Sequence, residues 1–424
     1  MLEILQEVSL NPTQFLTLLI VSMTLLIVLF RPFIFGFIDP LTLFLITLCA
    51  DAILVVGMDW DTSVKIEFVG FTIFLWLGMV FAGRIPSMHP IINFSSDRLL
   101  ELEIVLILLF VLVSLANLYL GISTGFPLLS TDPSVSKVTV FTGGLGVIKR
   151  LNGGAFHFLC CGCTILVLIN HKRYLALTML FVSCAFIALS GSKGALLNVL
   201  FIQAFVTYHK GLYKSSVNVK KVKRYAIPSF AAACVVALAV VIRDTGSLLV
   251  GLMFLAKRLL FSADVVLFYY PRRGAIPELK GVGPLDYIGY LLDPTLGLFR
   301  LKEYAAPLGT IIAGNLEMGF GPNAQYFVRA DIFFGPIAGC LYCLAIGYVI
   351  GNVRKKFFTI RTENPLIFTF VLMTAVSALS LAIESQMFVE GIIDTALVVI
   401  PCWAVAFAAR IAVTNQRKFL EAAL

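Results

Sequence analysis

Residues 103–120 read EIVLILLFVLVSLANLYL, eighteen positions whose one charged side chain, Glu103, stands at the leading edge. A hydrocarbon core about 30 Å thick is spanned by ~20 helical residues rising 1.5 Å each, so this run is a membrane span. Similar runs occupy approximately 15–31, 41–57, 66–83, 154–170, 174–190, 194–209, 226–243, 332–352, 365–384 and 392–411. Composition agrees. Of 424 residues 59% are hydrophobic and 13% charged, with a mean hydropathy of +0.97, whereas a soluble domain is roughly 45–50% apolar. The expected fold is all-α, a polytopic integral membrane protein of eleven transmembrane helices in which residues 1–424 form a single transmembrane domain.

The cations orient these spans. Lys and Arg concentrate in cytoplasmic loops, and assigning alternate loops to opposite sides puts Arg31, Arg84, Arg98, Lys172, Arg173, the runs Lys210 to Arg224 and Arg354 to Arg361, and Arg410, Arg417 and Lys418 inside. The N-terminus, with Glu3 and Glu7, is then outside and the C-terminus cytoplasmic. The start lacks the basic n-region and small-residue cleavage site of a secretory signal. Between the eighth and ninth spans, residues 244–331 form a large outer loop that carries Lys257, Arg258, Arg272, Arg273, Lys280, Arg300, Lys302 and Arg329. A basic outer loop runs against the charge rule and asks for an anionic partner. Within it Ser247 to Tyr270 is apolar at both ends but holds Lys257 and Arg258 at its middle. Two cations at mid-bilayer would cost roughly 5–7 kcal/mol, so an interfacial or re-entrant helix is expected.

Several classes are excluded. The longest cytoplasmic insertion, 210–225, is too short for a nucleotide-binding domain, and Gly143–Gly144 and Gly153–Gly154 do not follow a strand and open a helix. The nine cysteines sit mostly in apolar runs, and Cys160, Cys161 and Cys163 lack a second cluster at zinc-site spacing. No cofactor and no nucleic-acid partner are expected. His171 and His209, at span ends, read as solvated, and His157 stands just inside the fifth span. The span centres are almost free of charge, which argues against a transporter path.

Two further outer features carry cations: Gly121 to Gly154, with Lys137, Lys149 and Arg150, and the turn Ser190-Gly191-Ser192-Lys193-Gly194. Lys193 either reaches into a cavity or snorkels at the interface.

The run Thr124-Gly-Phe-Pro-Leu-Leu-Ser-Thr-Asp-Pro133 resembles the Gly-hydrophobic-Pro-Leu-Leu-Ser segment of the Wzy-type oligosaccharide repeat unit polymerases, the O-antigen polymerase group. The turn Ser190 to Leu196 is similar to that family's small-residue Ser-Arg turn. Gly321-Pro-Asn-Ala-Gln-Tyr-Phe-Val-Arg-Ala-Asp-Ile-Phe-Phe-Gly335 resembles its Pro-Asn loop leading into an aromatic-Gly span. The resemblance covers roughly residues 120–350. Lys193 and Lys137 stand where the family shows Arg, which keeps charge but loses the planar fork. Arg272 and Gly283 fit an Arg-to-Gly spacing of eleven found in some members' outer loops.

The resemblance implies a glycosyltransferase that moves a growing glycan from undecaprenyl diphosphate onto the next lipid-linked repeat unit, with membrane lipids and a chain-length regulator protein as further partners. Such a reaction needs cations for a departing diphosphate and a carboxylate for the acceptor hydroxyl. The catalytic candidates are Arg272, Arg273, Asp331 and Glu317, with Asp264 and Glu278 as other carboxylates. Lys137, Arg150, Lys193, Arg258, Arg329, Asn323 and Tyr270 are the candidates for gripping diphosphate and glycan. The alternatives are ordinary: a solvated pair at Arg272 and Arg273, lipid contact at Arg258, a salt bridge between Arg329 and Asp331, a turn at Asn323. No metal is implied, since no Asp-x-Asp pair stands in the long outer loops. A ligase joining finished glycan to a lipid A core shares this chemistry, and a flippase remains a different class.

Overall fold

The computed structural model describes residues 12–36, 38–130, 136, 146–190, 193–212, 263–301, 307–314 and 322–423. Among them every regular element is helical: α1 Pro12–Phe30, α2 Pro40–Gly57, α3 Thr62–Ala82, α4 Ser96–Thr124, α5 Gly146–Leu168, α6 Arg173–Leu189, α7 Lys193–Tyr208, α8 Val265–Tyr269, α9 Pro284–Leu298, α10 Leu308–Ala313, α11 Tyr326–Thr359, α12 Pro365–Ser377, α13 Ser380–Ile383 and α14 Ser385–Ala423. Proline opens α1, α2, α9 and α12, the first helical position, where its fixed φ helps and its missing N–H costs nothing.

Among the described residues eight segments are long and apolar enough to cross a membrane: Thr13–Phe33, Pro40–Gly57, Thr62–Ala82, Ser96–Leu129, Gly146–Leu168, Tyr326–Thr359, Pro365–Ile383 and Ser385–Ala412. Arg173–Leu189 and Leu197–Tyr208 are apolar but shorter. Leu16, Ile20, Ile66, Phe81, Ile337 and Leu341 turn outward and are exposed, as lipid-facing side chains must be. The chain is a multi-pass membrane protein. Ten of the expected spans coincide with these helices; the eleventh, 226–243, lies outside the described residues, as does all but the end of 247–270. Within 244–331 the described α-helices are α8, α9 and α10, of five, fifteen and six residues, and the start of α11, which begins at Tyr326 and so takes in Arg329 and Asp331.

The chain divides into two compact units. The first comprises Met1–Ile85, Val235–Lys355 and Ala378–Phe388. Here α3 and α11 cross with backbone against backbone, since a Cβ on Gly78 would overlap the Leu344 carbonyl and one on Gly347 the Leu75 carbonyl. Small residues permit such close approach where apolar burial offers helices no drive to associate in lipid. Gly335, at φ 69°, breaks α11 after Phe334, and Pro336 restarts it. At the other end Asp39 caps α2 by accepting from Leu41 N at 2.8 Å and takes both of its 2.7 Å contacts from Arg354 Nη2.

The second unit comprises Pro86–Cys234, Lys356–Ser377 and Val389–Leu424. Gly154 of α5 lies so close to α14 that a Cβ would strike the backbone of Asp394, and Thr395 Oγ1 donates to Gly154 O at 3.0 Å. Buried Glu101 is held by Arg98 at 3.0 Å and Arg410 at 2.8 Å. Two expectations about histidines change. His209 is not solvated: it is fully buried, with its ring 5.0 Å from Phe357, 5.5 Å from Phe368 and 5.1 Å from His89. Burial first, then the neighbouring His89, pulls its pKa down to about 4. His171 Nε2 instead faces Glu103 at 3.3 Å.

Candidate functional site

The first unit brings three charged groups together from distant parts of the chain. Arg273 follows the helical turn that ends α8, Asp331 sits in the second turn of α11, and Glu67 sits in the second turn of α3. Arg273 Nη2 donates to Asp331 Oδ1 at 2.5 Å and to Glu67 Oε2 at 2.6 Å. Tyr269 OH donates to the other Asp331 oxygen at 2.7 Å. The close crossing of α3 and α11 is what sets the two carboxylates on either side of one nitrogen. Thr72 Oγ1 and Tyr326 OH, 2.8 Å apart, and the edge-on pair Phe68 and Phe327 tie the same helices just beside them.

Tyr269, Arg273 and Asp331 line a cavity of about 310 Å³ with Gly274, Ile276, Leu279, Lys280, Gly281 and Ile332. Burial opposes the Arg273 charge, but the hydrogen bond and charge of Asp331, with Glu67 behind, more than offset it and raise its pKa. Tyr269 is pushed above its ordinary value by burial and then by Asp331, so its hydroxyl keeps its proton and goes on donating. The arrangement holds one carboxylate by both oxygens in a fixed orientation at a cavity wall, the geometry that a general base requires.

The other candidates fall elsewhere. Arg272 Nη1 donates to Ile312 O at 3.0 Å and packs on Gly314, the left-handed residue that ends α10, so it secures that helix end. Tyr270 is buried, stacked on Phe327 with centroids 6.5 Å apart and tilted on Trp60 at 6.1 Å. Asn323 is exposed between buried Pro322 and Ala324.

Arg329 is fully buried. Its Nε donates to Tyr342 OH at 3.1 Å, Nη1 to Ala324 O and Ile383 O, and Nη2 to Leu381 O and Ala382 O. Three of those carbonyls end α13, where a helix leaves acceptors without partners. Glu384, 3.6 Å from Arg329, accepts from Tyr290 OH and from Ala324 N at 3.0 Å. Arg329 and Asp331 do not pair: two positions apart on a helix, they point to opposite faces.

Arg150, in the second unit, lies 3.2 Å from Asp394 and 3.3 Å from Glu390 of α14. Lys193 opens α7, and its side chain lies outside the described residues, as do Lys137, Arg258 and Glu317. No group of three or more potential metal ligands occurs among the described residues.

Sequence reasoning missed Glu67, which falls inside the run counted as the third span. The signal available was an acidic residue in the first turns of an apolar helix, where charge is costly and therefore purposeful. It missed Asp51 by the same route. Asp51 is wholly buried within α2, where Oδ1 accepts from Gln325 Nε2 at 2.9 Å and Oδ2 has no hydrogen-bond partner, so that span is not free of ionisable side chains.

No family model, no curated protein and no solved structure matches the chain. The resemblance to the polymerases therefore rests on the quoted segments alone.

Proposed function

We propose that the chain is a glycosyltransferase of the bacterial cytoplasmic membrane that polymerises oligosaccharide repeat units carried on undecaprenyl diphosphate into surface polysaccharide. The observation that carries this reading is the carboxylate of Asp331, gripped on both oxygens by Arg273 and Tyr269 at a cavity wall. The acceptor hydroxyl loses its proton to Asp331 and forms a bond to the anomeric carbon of the donor glycan. The bond from that carbon to the diphosphate breaks, and the diphosphate leaves with the electron pair. Outer-loop cations stabilise that leaving charge. In this reading residues 244–331 face outward, the N-terminus is outside, the C-terminus is cytoplasmic, and no cofactor takes part.

The test is reconstitution in liposomes with lipid-linked repeat units, read on a gel. A ladder made without added nucleotide, reduced at least ~100-fold by Asp331→Asn, is the expected result. Native-rate elongation by Asp331→Asn rejects the assignment, as does labelling of engineered thiols in 263–301 from the cytosolic side only. Transfer to a lipid A core in place of a ladder makes the chain a ligase. A transporter is the second reading, favoured by Asp51, an ionisable group buried inside a span; movement of the lipid-linked unit across the same vesicles without elongation would establish it.

A further inference from the structure

The charge count at the cavity is not that of a diphosphate cradle. Arg273 and Lys280 supply two positive charges, while Asp331 and Glu67 supply two negative ones, both within 2.6 Å of a single Arg273 nitrogen. The Arg273 charge is already matched by these two carboxylates, so an incoming diphosphate would gain little from it while Asp331 in the cavity wall repels it, like charge in a partly desolvated pocket being unfavourable. Hydroxyl groups meet no such barrier. The Asp331 carboxylate in the cavity wall holds lone pairs that can accept from them. Arg273 Nε and Nη1, which have no hydrogen-bond partner among the described residues, can donate to them as a planar pair. Tyr269 lines the same space. At water's share of roughly 30 Å³ per molecule, about 310 Å³ holds ~10 waters, close to the heavy-atom content of one sugar ring.

Glu67 decides this balance. It is absent from the cavity lining and grips Arg273 from behind, so it acts on a ligand only through the charge it cancels. We propose that Glu67 is a specificity-determining residue: by neutralising Arg273 it makes this cavity a site for an uncharged polyhydroxyl ligand, a saccharide ring, and closes it to a diphosphate. The inference deepens the transferase reading by naming which part of a lipid-linked substrate enters here; the diphosphate must be met by other cations.

The experiment uses the full chain in lipid nanodiscs, with inorganic pyrophosphate and four neutral sugars, glucose, galactose, mannose and N-acetylglucosamine, as probes. Saturation-transfer NMR on the wild type is expected to show saturable binding of at least one sugar that persists in excess pyrophosphate. Absence of any sugar signal, or its displacement by pyrophosphate, overturns the proposal without need of a variant. In Glu67→Gln pyrophosphate affinity should rise about tenfold while Glu67→Asp stays near the wild type, a gain that mere loss of structure would not produce; unchanged or weaker pyrophosphate binding by a folded Glu67→Gln rejects the role of Glu67. A sugar signal with no ladder in the reconstituted assay removes the transferase and leaves the cavity. A ladder with no sugar signal does the reverse.

Discussion

Arg273 and Arg329 flank the same stretch of chain, yet their surroundings give them different work. Arg329 is wholly enclosed and spends its five N–H donors on four backbone carbonyls and one tyrosine hydroxyl. Arg273 keeps 29% of its side chain exposed, commits one nitrogen to two carboxylates and lines the cavity with Nε and Nη1 making no hydrogen bond among the described residues. A guanidinium satisfied by carbonyls is a fastener: it closes orphaned helix ends and has nothing left for a ligand. A guanidinium held by carboxylates fixes those carboxylates in place and still has donors to offer. Residue type alone does not separate the two, and the count of committed donors does.

The comparison breaks most visibly if Arg329 proves dispensable. Arg329→Ala strands the carbonyls that end α13 and leaves Glu384 buried without its cation, a loss of about 3–5 kcal/mol for a broken buried pair. The expected outcome is protein that fails to accumulate as a monodisperse species, measured by membrane yield and gel filtration. Arg329→Lys should fare little better, because one ammonium cannot reproduce the fork.

Arg273→Gln should act in the opposite register. The protein accumulates, its thermal midpoint falls less than that of any Arg329 variant, and polymer formation drops ~100-fold as Asp331 loses the partner that orients it. Comparable yields for the Arg273 and Arg329 variants would erase the distinction between fastener and site.

Tyr269→Phe sharpens it further by removing a single hydrogen bond to Asp331. Elongation is expected to fall about tenfold, a loss of roughly 1.4 kcal/mol in transition-state stabilisation, with little change in thermal midpoint.

The smallest effect concerns His209, a buried titratable group with no charged partner in its ring contacts. Its folded pKa of about 4 lies below the ordinary value of 6.5. The unfolded chain therefore binds more protons between these values, so stability is intact above about pH 6.5 and is lost as pH falls toward about 4. Thermal midpoints measured across that window should decline in the wild type, and the slope should shrink in His209→Phe.

Much of the architecture was legible. Apolar runs of 16 to 21 residues sit where the described helices are because the bilayer admits few other solutions for a backbone that must satisfy its own hydrogen bonds. Asp331, Arg273 and Tyr270 stood out because charged and aromatic side chains in an outer loop are conspicuous in so apolar a chain. What could not be read was which charges meet. Glu67 lies 206 positions from Arg273 and inside a run counted as hydrophobic, and the glycine contacts that bring α3 against α11 have no local signature. Arg329 and Arg273 looked alike for the same reason: one-dimensional spacing shows which residues are charged, not how many acceptors surround them.

The amino-acid sequence by itself determined that this is a multi-pass helical membrane protein, since apolar length against bilayer thickness is a property of each segment alone. Only the tertiary structure decided that Arg273 is shared by Glu67 and Asp331 while Arg329 is consumed by the ends of its neighbours. Hydrogen bonds and charge pairs between segments depend on how helices pack, and packing is settled by many weak contacts summed over the whole fold.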